Sequence, residues 1–392
     1  MPQWIDPNTI TGPPAEGKKY FKRANVENEI WTEIEKGCHV LFLAPRRVGK
    51  SSIVMNMAKQ PRRHYHSIFE NIQSEDTSQA FYKRLYTLTI RLLSGIDTAS
   101  AIFKKYIGSR GIKKIGPDGG IEFITKGVDY REEFYDLLEQ IKVQKEQIVL
   151  ILDEFPDVIK QIAEKESKEA AKSLLEDLRE LRQSQQFRSK FTLILLGSVG
   201  LHHIVKQIDG RTDKINDLQI INLEGLDDQE INQFYDHMFD GVTMQVSKDV
   251  RSYLSLRIGR IPYYIQLLVE NANSKLRNSN TNELTEDLID ECFDELIKEN
   301  ERFQDWKSRI TKYFPDKGNF LIKVLSVCAI NDSISIQEIF DLAKNTDFED
   351  QYFELTEDIL IKDGYLYEVS NHTYAFNSPL LQAWWARRHP KF

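Results

Sequence analysis

The chain contains 392 residues, of which 41% are hydrophobic and 29% are charged, and this predicts two or three globular domains rather than a disordered chain. Its formal net charge of -8 is opposite in sign to that of proteins dedicated to coating nucleic acids. The cysteines Cys38, Cys292 and Cys328 are far apart and predict neither a disulfide framework nor a metal cluster, as is usual in a reducing cytosol. With no apolar run of about 18 residues and no leader pattern, we expect a cytoplasmic protein without a membrane span or signal peptide.

Apolar strands and amphipathic helices alternate through the first part of the chain. Residues 1–20 are rich in glycine, proline and polar residues and are predicted to form a lead-in arm, followed by an amphipathic helix at 24–36. A further helix is predicted at 167–186. Five apolar runs are predicted to be strands, at 38–43, 65–69, 148–152, 191–196 and 218–223. This alternation is typical of an α/β fold with a parallel sheet that is covered on both faces.

Three segments depart from this alternation. Residues 103–127 contain a Gly- and Pro-rich turn between two short apolar runs, which predicts an inserted hairpin. From about 226 to 310 the periodicity is helical, and Asp227 followed by Glu230 predicts a helix cap. Three helices, at 319–330, 335–344 and 350–363, and a short hairpin are predicted within 316–392, which suggests a winged helix. The predicted division is an arm at 1–20, a sheet domain at 21–225, a helical lid at 226–312 and a winged helix at 313–392.

The strongest chemical signal is a Gly-Lys-Ser motif that directly follows the first apolar strand. The sequence Ala-Pro-Arg-Arg-Val-Gly-Lys-Ser-Ser at 44–52 lies between this strand and a helical pattern, which is the context of a phosphate-binding P-loop. Gly49 allows the loop N–H groups to turn inward, Lys50 is expected to bridge the β- and γ-phosphates of ATP, and Ser51 to bind Mg²⁺. Ala44 replaces the first glycine of the motif, and alanine fits there if its φ stays negative.

The whole loop is predicted to line the nucleotide, although its basic side chains need not share one role. Arg46 and Arg47 are expected to contact either phosphate or a partner subunit, and the alternative is that Lys50 alone serves the phosphates. The loop residues predicted to bind nucleotide are Ala44, Pro45, Arg46, Arg47, Val48, Gly49, Lys50, Ser51 and Ser52.

Two carboxylates end a later apolar strand. The apolar run at 148–152 is followed by Asp153 and Glu154, and we expect it to form a strand neighbouring that of the P-loop. Asp153 is predicted to hold Mg²⁺ through water, and Glu154 to orient or deprotonate the water that attacks ATP. The next apolar strand ends in Gly-Ser, where Ser198 is either a sensor of the γ-phosphate or part of an ordinary turn. The predicted catalytic residues are therefore Lys50, Glu154 and Ser198.

Several short motifs follow one another in an order that resembles a known family. They are Tyr-Phe-Lys-Arg at 20–23, the P-loop, Leu-Asp-Glu-Phe-Pro at 152–156, Leu-Gly-Ser at 196–198, Gly-Arg-Ile-Pro at 259–262, and Tyr-Ala-Phe-Asn-Ser-Pro-Leu-Leu at 374–381 followed by Trp-Trp at 384–385. Over about residues 20–390 the chain resembles the prokaryotic AAA+/STAND-like ATPases, often called archaeal-type ATPases. The resemblance implies a P-loop domain of the additional-strand type, a helical lid and a C-terminal winged helix.

The resemblance also implies roles for residues outside the P-loop. It suggests that Phe21 and Arg23 lie near the adenine or ribose of ATP. It suggests that Gly259 and Pro262 pack the lid against the nucleotide. For Arg260 two interpretations stay open, namely an arginine that faces the phosphates and a solvated residue at the start of a helix.

The expected partners are protein chains rather than nucleic acids. Members of the family commonly form oligomers in which an arginine completes a neighbour's site. Arg188 and Arg211 are candidates for that role, and the alternative for either is a charged loop residue without such a role. Glu354, Glu357 and Asp358 lie on the third predicted helix of the winged helix, where they would repel phosphates. This segment is therefore predicted to contact protein or to lock the lid. Basic residues flanking the inserted hairpin are the better candidates for contacting DNA or RNA, and the alternative is that they form an ordinary solvated surface.

These features favour a molecular switch that binds and hydrolyses Mg-ATP and couples its nucleotide state to partner binding. ATP, ADP and Mg²⁺ are the predicted ligands. One alternative is a DNA-directed ATPase that works through the hairpin and the winged helix. The other is a binding module that uses ATP structurally and has negligible turnover.

Overall fold

The computed structural model describes residues 4–95, 112–115, 121–123, 127–141, 147–197, 201–299 and 301–389. The chain forms two compact units. One, the sheet unit, comprises Arg23–Leu43 and Ile53–Asn222, and the other, the C-terminal unit, comprises Met1–Lys22, Ala44–Ser52 and Leu223–Phe392. None of the helices in the described ranges combines the length and apolar character needed to cross a membrane.

A five-stranded parallel sheet is the centre of the sheet unit. The strands of this unit are β1 (Val40–Leu43), β2 (Tyr65–Asn71), β3 (Ile112–Ile115), β4 (Ile121–Phe123), β5 (Gln147–Asp153), β6 (Phe191–Gly197) and β7 (Gln219–Asn222). The parallel sheet has the order β2-β5-β6-β1-β7, and β3 pairs with β4 in an antiparallel ribbon. The predicted α/β fold with a parallel sheet is therefore confirmed.

The order of the strands follows from how completely each one can be buried. Every residue of β6 is buried, as are six of the seven in β5, whereas β7 exposes three of its four residues and lies at an edge. Because β6 lies between β1 and β5, the expectation that the acid-ending strand directly neighbours the P-loop strand is wrong. The intervening strand is the additional strand that the family resemblance implied.

Amphipathic helices accompany the sheet, and their apolar positions recur at helical spacing. They are α1 (Ala24–Glu35), α2 (Lys50–Lys59), which begins in the segment 44–52, α3 (Ser78–Ser94), α4 (Tyr130–Gln140), α5 (Phe155–Lys165), α6 (Lys168–Gln183) and α7 (Leu201–Asp209). In α6 the buried leucines Leu174, Leu178 and Leu181 form one stripe, and Ser167 caps the helix by accepting from the Ala170 N–H at 3.0 Å.

A buried histidine precedes β1 and makes the sheet unit sensitive to acid. His39 is 5% exposed, and its Nδ1 accepts a hydrogen bond from the Leu193 N–H at 3.0 Å. Burial lowers the pKa of His39 to about 3, and the positive charge of Arg182 acts in the same direction. The unfolded imidazole titrates near 6.5, so the unfolded chain binds more protons than the folded one below that pH. Stability is therefore lost as the pH falls below about 6.5.

We expect His39 to lower the free energy of unfolding by about 2 kcal/mol between about pH 7 and about pH 5. The variant His39→Asn keeps a hydrogen-bond acceptor but does not titrate, so its unfolding free energy should change less over the same range. Denaturant unfolding of both proteins at several pH values measures the difference. Parallel pH profiles for the two proteins would contradict this role of His39.

The C-terminal unit is mainly helical and includes a small antiparallel sheet. Its helices are α8 (Asp228–Phe239), α9 (Lys248–Ile258), α10 (Pro262–Arg277), α11 (Glu286–Leu296), α12 (Glu301–Tyr313), α13 (Gly318–Asn331), α14 (Ile336–Ala343), α15 (Tyr352–Leu355), which continues as a π-helix (Thr356–Ile361), and α16 (Pro379–Arg388). The strands β8 (Ile334–Ser335), β9 (Leu366–Ser370) and β10 (Thr373–Phe376) pair in the order β8-β10-β9. The predicted cap of α8 is confirmed, because the Glu230 N–H donates to Asp227 Oδ1 at 2.7 Å and the Asp227 N–H donates to the Glu230 carboxylate at 3.2 Å.

The N-terminal arm is held along helix α10. Trp4 Nε1 donates to Asn273 Oδ1 at 3.0 Å, and the Ile10 N–H donates to Gln266 Oε1 at 2.8 Å. These hydrogen bonds join residues that are far apart in sequence. The arm is therefore packed into the C-terminal unit and does not merely precede the sheet unit.

Candidate nucleotide-binding site

The loop at 44–52 has the backbone conformation that an anion cradle requires. It follows β1 directly, and its last residues, from Lys50 onward, form the start of α2. Gly49 and Arg47 adopt left-handed conformations, with φ of 100° and 71°, whereas Ala44 is buried and keeps a negative φ. No other described heavy atom, apart from those of Gly49 and its chain neighbours, lies within 4 Å of where a Cβ on Gly49 would be. The turned backbone and the open space beside it suit a phosphate group.

The residues on either side of the turn at Gly49 differ in burial and in the contacts that they make. Lys50 is 8% exposed and begins α2, where the first N–H groups have no partner within the helix and carry partial positive charge. Ser51 follows, and a hydroxyl oxygen is a ligand that Mg²⁺ accepts in proteins. Val48 is 1% exposed, so its side chain belongs to the core. Ser52 Oγ accepts a hydrogen bond from the Ala15 N–H at 2.9 Å, which ties the arm to the loop.

Both arginines of the loop have partners on helix α12. Arg46 forms an ion pair with Asp305, and Arg47 Nη2 donates to the Arg302 carbonyl at 2.8 Å. The Arg47 guanidinium also lies 4.3 Å from the centroid of the Tyr263 ring, within the range of a cation–π interaction. Partners within the same chain were not among the alternatives that the sequence suggested for these arginines.

Pro45 packs against the turn that precedes β9. Gly364 in this turn has a φ of 78°, and a Cβ there would overlap Pro45, so only glycine fits. Next to it, the Tyr365 hydroxyl donates to the Trp306 carbonyl at 2.9 Å, while Trp306 Nε1 donates to the Tyr264 hydroxyl at 2.9 Å. Burial raises the pKa of Tyr264 to about 12, so its hydroxyl stays protonated at neutral pH. The sequence analysis did not identify this turn. The feature that could have indicated it is the single glycine, Gly364, directly before a predicted strand.

β5 ends at Asp153 and is followed directly by Glu154, so the predicted acidic pair lies at the end of this strand. Asp153 is 4% exposed, and its Oδ1 accepts the Glu154 N–H at 3.0 Å. Glu154 has a φ of 61° and lies directly before α5. Asp157, which the sequence analysis did not single out, is also 4% exposed and accepts a hydrogen bond from Gln73 Nε2 at 2.6 Å. The sequence feature that could have identified Asp157 is that it is a third acidic residue close to the pair Asp153 and Glu154.

The acidic strand end lies at the carboxyl edge of the sheet. Leu43 at the end of β1 is in register with Gly197 at the end of β6, and β6 is paired in parallel with β5. Asp153 therefore lies at the same edge as Leu43, which is where α/β sheets bind their ligands. Ser198, the predicted sensor, lies outside the described residues.

The residues that the family resemblance placed near the adenine are packed in different ways. Phe21 contacts Phe234 edge to face, with ring centroids 5.3 Å apart, and its ring centroid lies 5.8 Å from that of His237. Arg23 is 8% exposed and directly precedes α1. Pro262 is the first residue of α10, a position that suits proline because its missing N–H is not needed there.

The Gly-Arg pair at 259–260 is explained by contacts within the C-terminal unit. Gly259 has a φ of 84°, and a Cβ there would lie 2.8 Å from Pro379 Cδ. Arg260 is 54% exposed and pairs with Asp228, which favours the interpretation as a solvated residue. Arg211, one candidate for completing a neighbour's site, is 71% exposed and lies 3.8 Å from Asp213.

Solved structures that are similar to this chain over nearly its whole length include the following two. The Walker-type ATPase of Pyrococcus abyssi has a TM-score of 0.62 and 17% identity, covering 96% of this chain and 99% of that one. The Aeropyrum pernix ORC2 protein, solved as ADPNP-ADP complexes, has a TM-score of 0.51 and 12% identity, covering 94% of this chain and 93% of that one. At such identities the likeness shows the fold, which is that of a P-loop ATPase.

The search of curated proteins gives no match for this chain. A family model described as an ATPase domain predominantly from Archaea matches residues 29–268, which is more than half of the 392 residues. The matched range includes the loop at 44–52, the acidic pair that ends β5 and the start of α10. This chain therefore belongs to the family of ATPase domains that occurs predominantly in Archaea.

Proposed function

We propose that this protein binds Mg-ATP in the loop at 44–52, hydrolyses it, and uses its nucleotide state to control contact with a partner. The observation that carries the proposal is the left-handed turn at Gly49 followed by buried Lys50 at the first position of α2. The family supports ATP as the nucleotide, and the similar Aeropyrum pernix ORC2 protein was solved with ADPNP and ADP.

Five residues carry the proposed chemistry. Lys50 donates hydrogen bonds to oxygens of the β- and γ-phosphates. Ser51 would provide a hydroxyl ligand for Mg²⁺, and Asp153 would provide a carboxylate through water. Bound Mg²⁺ supplies charge that stabilises the transferring phosphoryl group. Glu154 orients or deprotonates the attacking water, and Ser198 is retained as the sensor of the γ-phosphate.

The backbone at the acidic strand end supports the role of Glu154. A left-handed conformation at a residue other than glycine costs about 1 kcal/mol or more, and such residues cluster at active sites. Glu154 keeps this conformation, with φ of 61° and ψ of 35°, at the carboxyl edge of the sheet. The N–H of Glu154 is held by Asp153 Oδ1 at 3.0 Å, so the two acidic residues are positioned together.

The proposed switch is of the AAA+/STAND type and includes the predicted division into an arm at 1–20, a P-loop domain at 21–225, a lid at 226–312 and a winged helix at 313–392. The succession of helices α13 to α15 followed by β9 and β10 supports the proposed winged helix. In this proposal Phe21 and Arg23 contact the adenine or ribose, and Pro262 positions the lid against the nucleotide. The loop at 44–52 groups with residues 223–392, so a change in the loop on binding ATP would act on that unit.

The proposed partner is a protein, and self-association into a homo-oligomer is part of the same proposal. Glu354 is exposed on α15, and Glu357 and Asp358 are half-buried on the π-helix that continues it. An acidic helix in this position would repel nucleic-acid phosphates and suits a basic protein surface.

Phosphate release by the purified chain tests the proposal. Turnover of ATP should require Mg²⁺ and stop when EDTA is added. Binding of ATP without measurable turnover would favour the structural binding module, and failure to bind ATP would reject the proposal. The same assay with added DNA tests the DNA-directed alternative, which predicts stimulated turnover and DNA binding that weakens as salt rises.

A further inference from the structure

Three consecutive residues of the phosphate loop contact three separate segments of the C-terminal unit. Pro45 lies against Gly364 before β9, Arg46 pairs with Asp305 on α12, and Arg47 lies over the Tyr263 ring at the start of α10. We call this set of contacts the loop clasp. Nucleotide binding by Lys50 and Ser51 does not by itself require the clasp, so the clasp needs its own explanation.

Arg47 shows what the clasp does for the loop. A left-handed φ of 71° is unfavourable for arginine and persists only where the surroundings hold it. Here both its side chain and its backbone are held, since Nη2 donates to the Arg302 carbonyl at 2.8 Å and its own carbonyl accepts the Tyr263 N–H at 3.4 Å. The clasp therefore keeps the loop in the turned conformation that precedes Gly49.

The clasp continues from the loop through α12 into the C-terminal segment. Arg302 and Asp305 lie one turn apart, on the same face of α12. Trp306 follows and is 1% exposed, and its ring centroid lies 5.0 Å from that of Tyr365. Tyr365 directly follows Gly364, and Gly364 packs against Pro45 of the loop. The loop, α12 and the turn before β9 thus form a closed ring of contacts.

We infer that Arg46 and Arg47 are positioning residues that hold the nucleotide-binding conformation of the loop by binding α12, and thereby couple ATP binding to the attachment of α12. Their guanidinium groups donate to a carboxylate and a carbonyl of the same chain, so Lys50 remains the phosphate ligand. Because coupling is reciprocal, weakening the clasp must weaken nucleotide binding, and nucleotide must protect α12. This inference rests on the proposed nucleotide site.

The first test weakens the clasp from the side of the C-terminal unit. The double variant Tyr263→Leu/Asp305→Asn removes the ring under Arg47 and the charge opposite Arg46. Without nucleotide, amide hydrogen exchange of residues 301–306 should become about fivefold faster, and Mg-ATP binding should weaken by about fivefold. The matched control is Glu301→Gln, which removes an exposed charge from the first turn of the same helix and should behave as wild type. Unchanged exchange or unchanged affinity in the double variant overturns the inference.

The second test separates loop positioning from simple charge. Glycine accepts a φ of 71° without strain and alanine does not, so Arg47→Gly should bind Mg-ATP several-fold more tightly than Arg47→Ala. If Arg47 acted only as a positive charge near phosphate, the two variants would bind equally, and that result overturns its positioning role. This comparison still tests the positioning role of Arg47 if the double variant does not fold.

The two proposals fail separately. A wild-type protein that binds no ATP rejects the proposed function, whereas the exchange of residues 301–306 is measured without nucleotide and decides the clasp by itself.

Discussion

Replacing Lys50 with alanine is expected to weaken Mg-ATP binding by about 100-fold or more and to abolish turnover. A charge-assisted hydrogen bond contributes about 1.5–3 kcal/mol, and Lys50 is proposed to donate to two phosphates. Lys50 is 8% exposed at the first position of α2, and the neighbouring loop arginines are bound to α12 through Asp305 and the Arg302 carbonyl. Isothermal titration with Mg-ATP measures the affinity, and phosphate release measures the turnover.

Lys59→Ala is the matched control for this variant. Lys59 is an exposed lysine at the other end of the same helix, and its loss removes the same charge and the same methylene groups. We expect its ATP affinity to stay close to that of wild type. Wild-type affinity in Lys50→Ala would show that the loop at 44–52 is not the nucleotide site.

The variant Glu154→Gln is expected to bind Mg-ATP and to lose turnover by a factor of about 10²–10⁴, the range that a general base contributes. Glutamine has the same shape as glutamate but cannot accept the proton of the attacking water. Because the backbone at Glu154 is already left-handed, a substitution of equal size adds little strain there. Single-turnover hydrolysis separates the chemical step from nucleotide binding.

Glu164→Gln provides the control for Glu154→Gln, since it makes the same change at a side chain on α5 that is 63% exposed. It should hydrolyse ATP at the wild-type rate. Unchanged hydrolysis in Glu154→Gln would remove Glu154 from the mechanism, and lost ATP binding would assign it to binding instead.

The sheet could be predicted because its signal is local. Each buried strand is a run of apolar residues, and burial on both faces makes that run continuous. The residues at which strands begin and end are encoded less clearly in the sequence, as β1 shows. The prediction began at Cys38, but the Cys38 N–H donates to the Glu33 carbonyl at 3.0 Å and still belongs to the exit of α1.

The third helix of the C-terminal segment shows a limit of periodicity. The sequence predicted one helix over 350–363, whereas the structure has a short α-helix followed by a π-helix from Thr356 to Ile361. Thr356 is fully buried, and its hydroxyl donates to the Tyr352 carbonyl at 2.8 Å. An apolar pattern cannot report which carbonyl each N–H selects, so a π-helix is not visible in it.

The candidate site was predictable only in part for the same reason. Gly49, Lys50 and Ser51 could be assigned because their spacing along the chain is itself the motif. The conformation of Arg47 could not, because it depends on a partner 255 positions away on α12. Contacts across such separations are decided by packing, which no local pattern encodes.

The attachment of the N-terminal arm to α10 has a consequence for how the protein is made. Trp4 is hydrogen-bonded to a residue 269 positions later in the chain. At a synthesis rate of about 5–20 residues per second, the arm waits roughly 15–55 s on the ribosome before that residue exists. A fragment that stops before Pro262 would lack α10 altogether and leave residues 4–11 accessible to proteases.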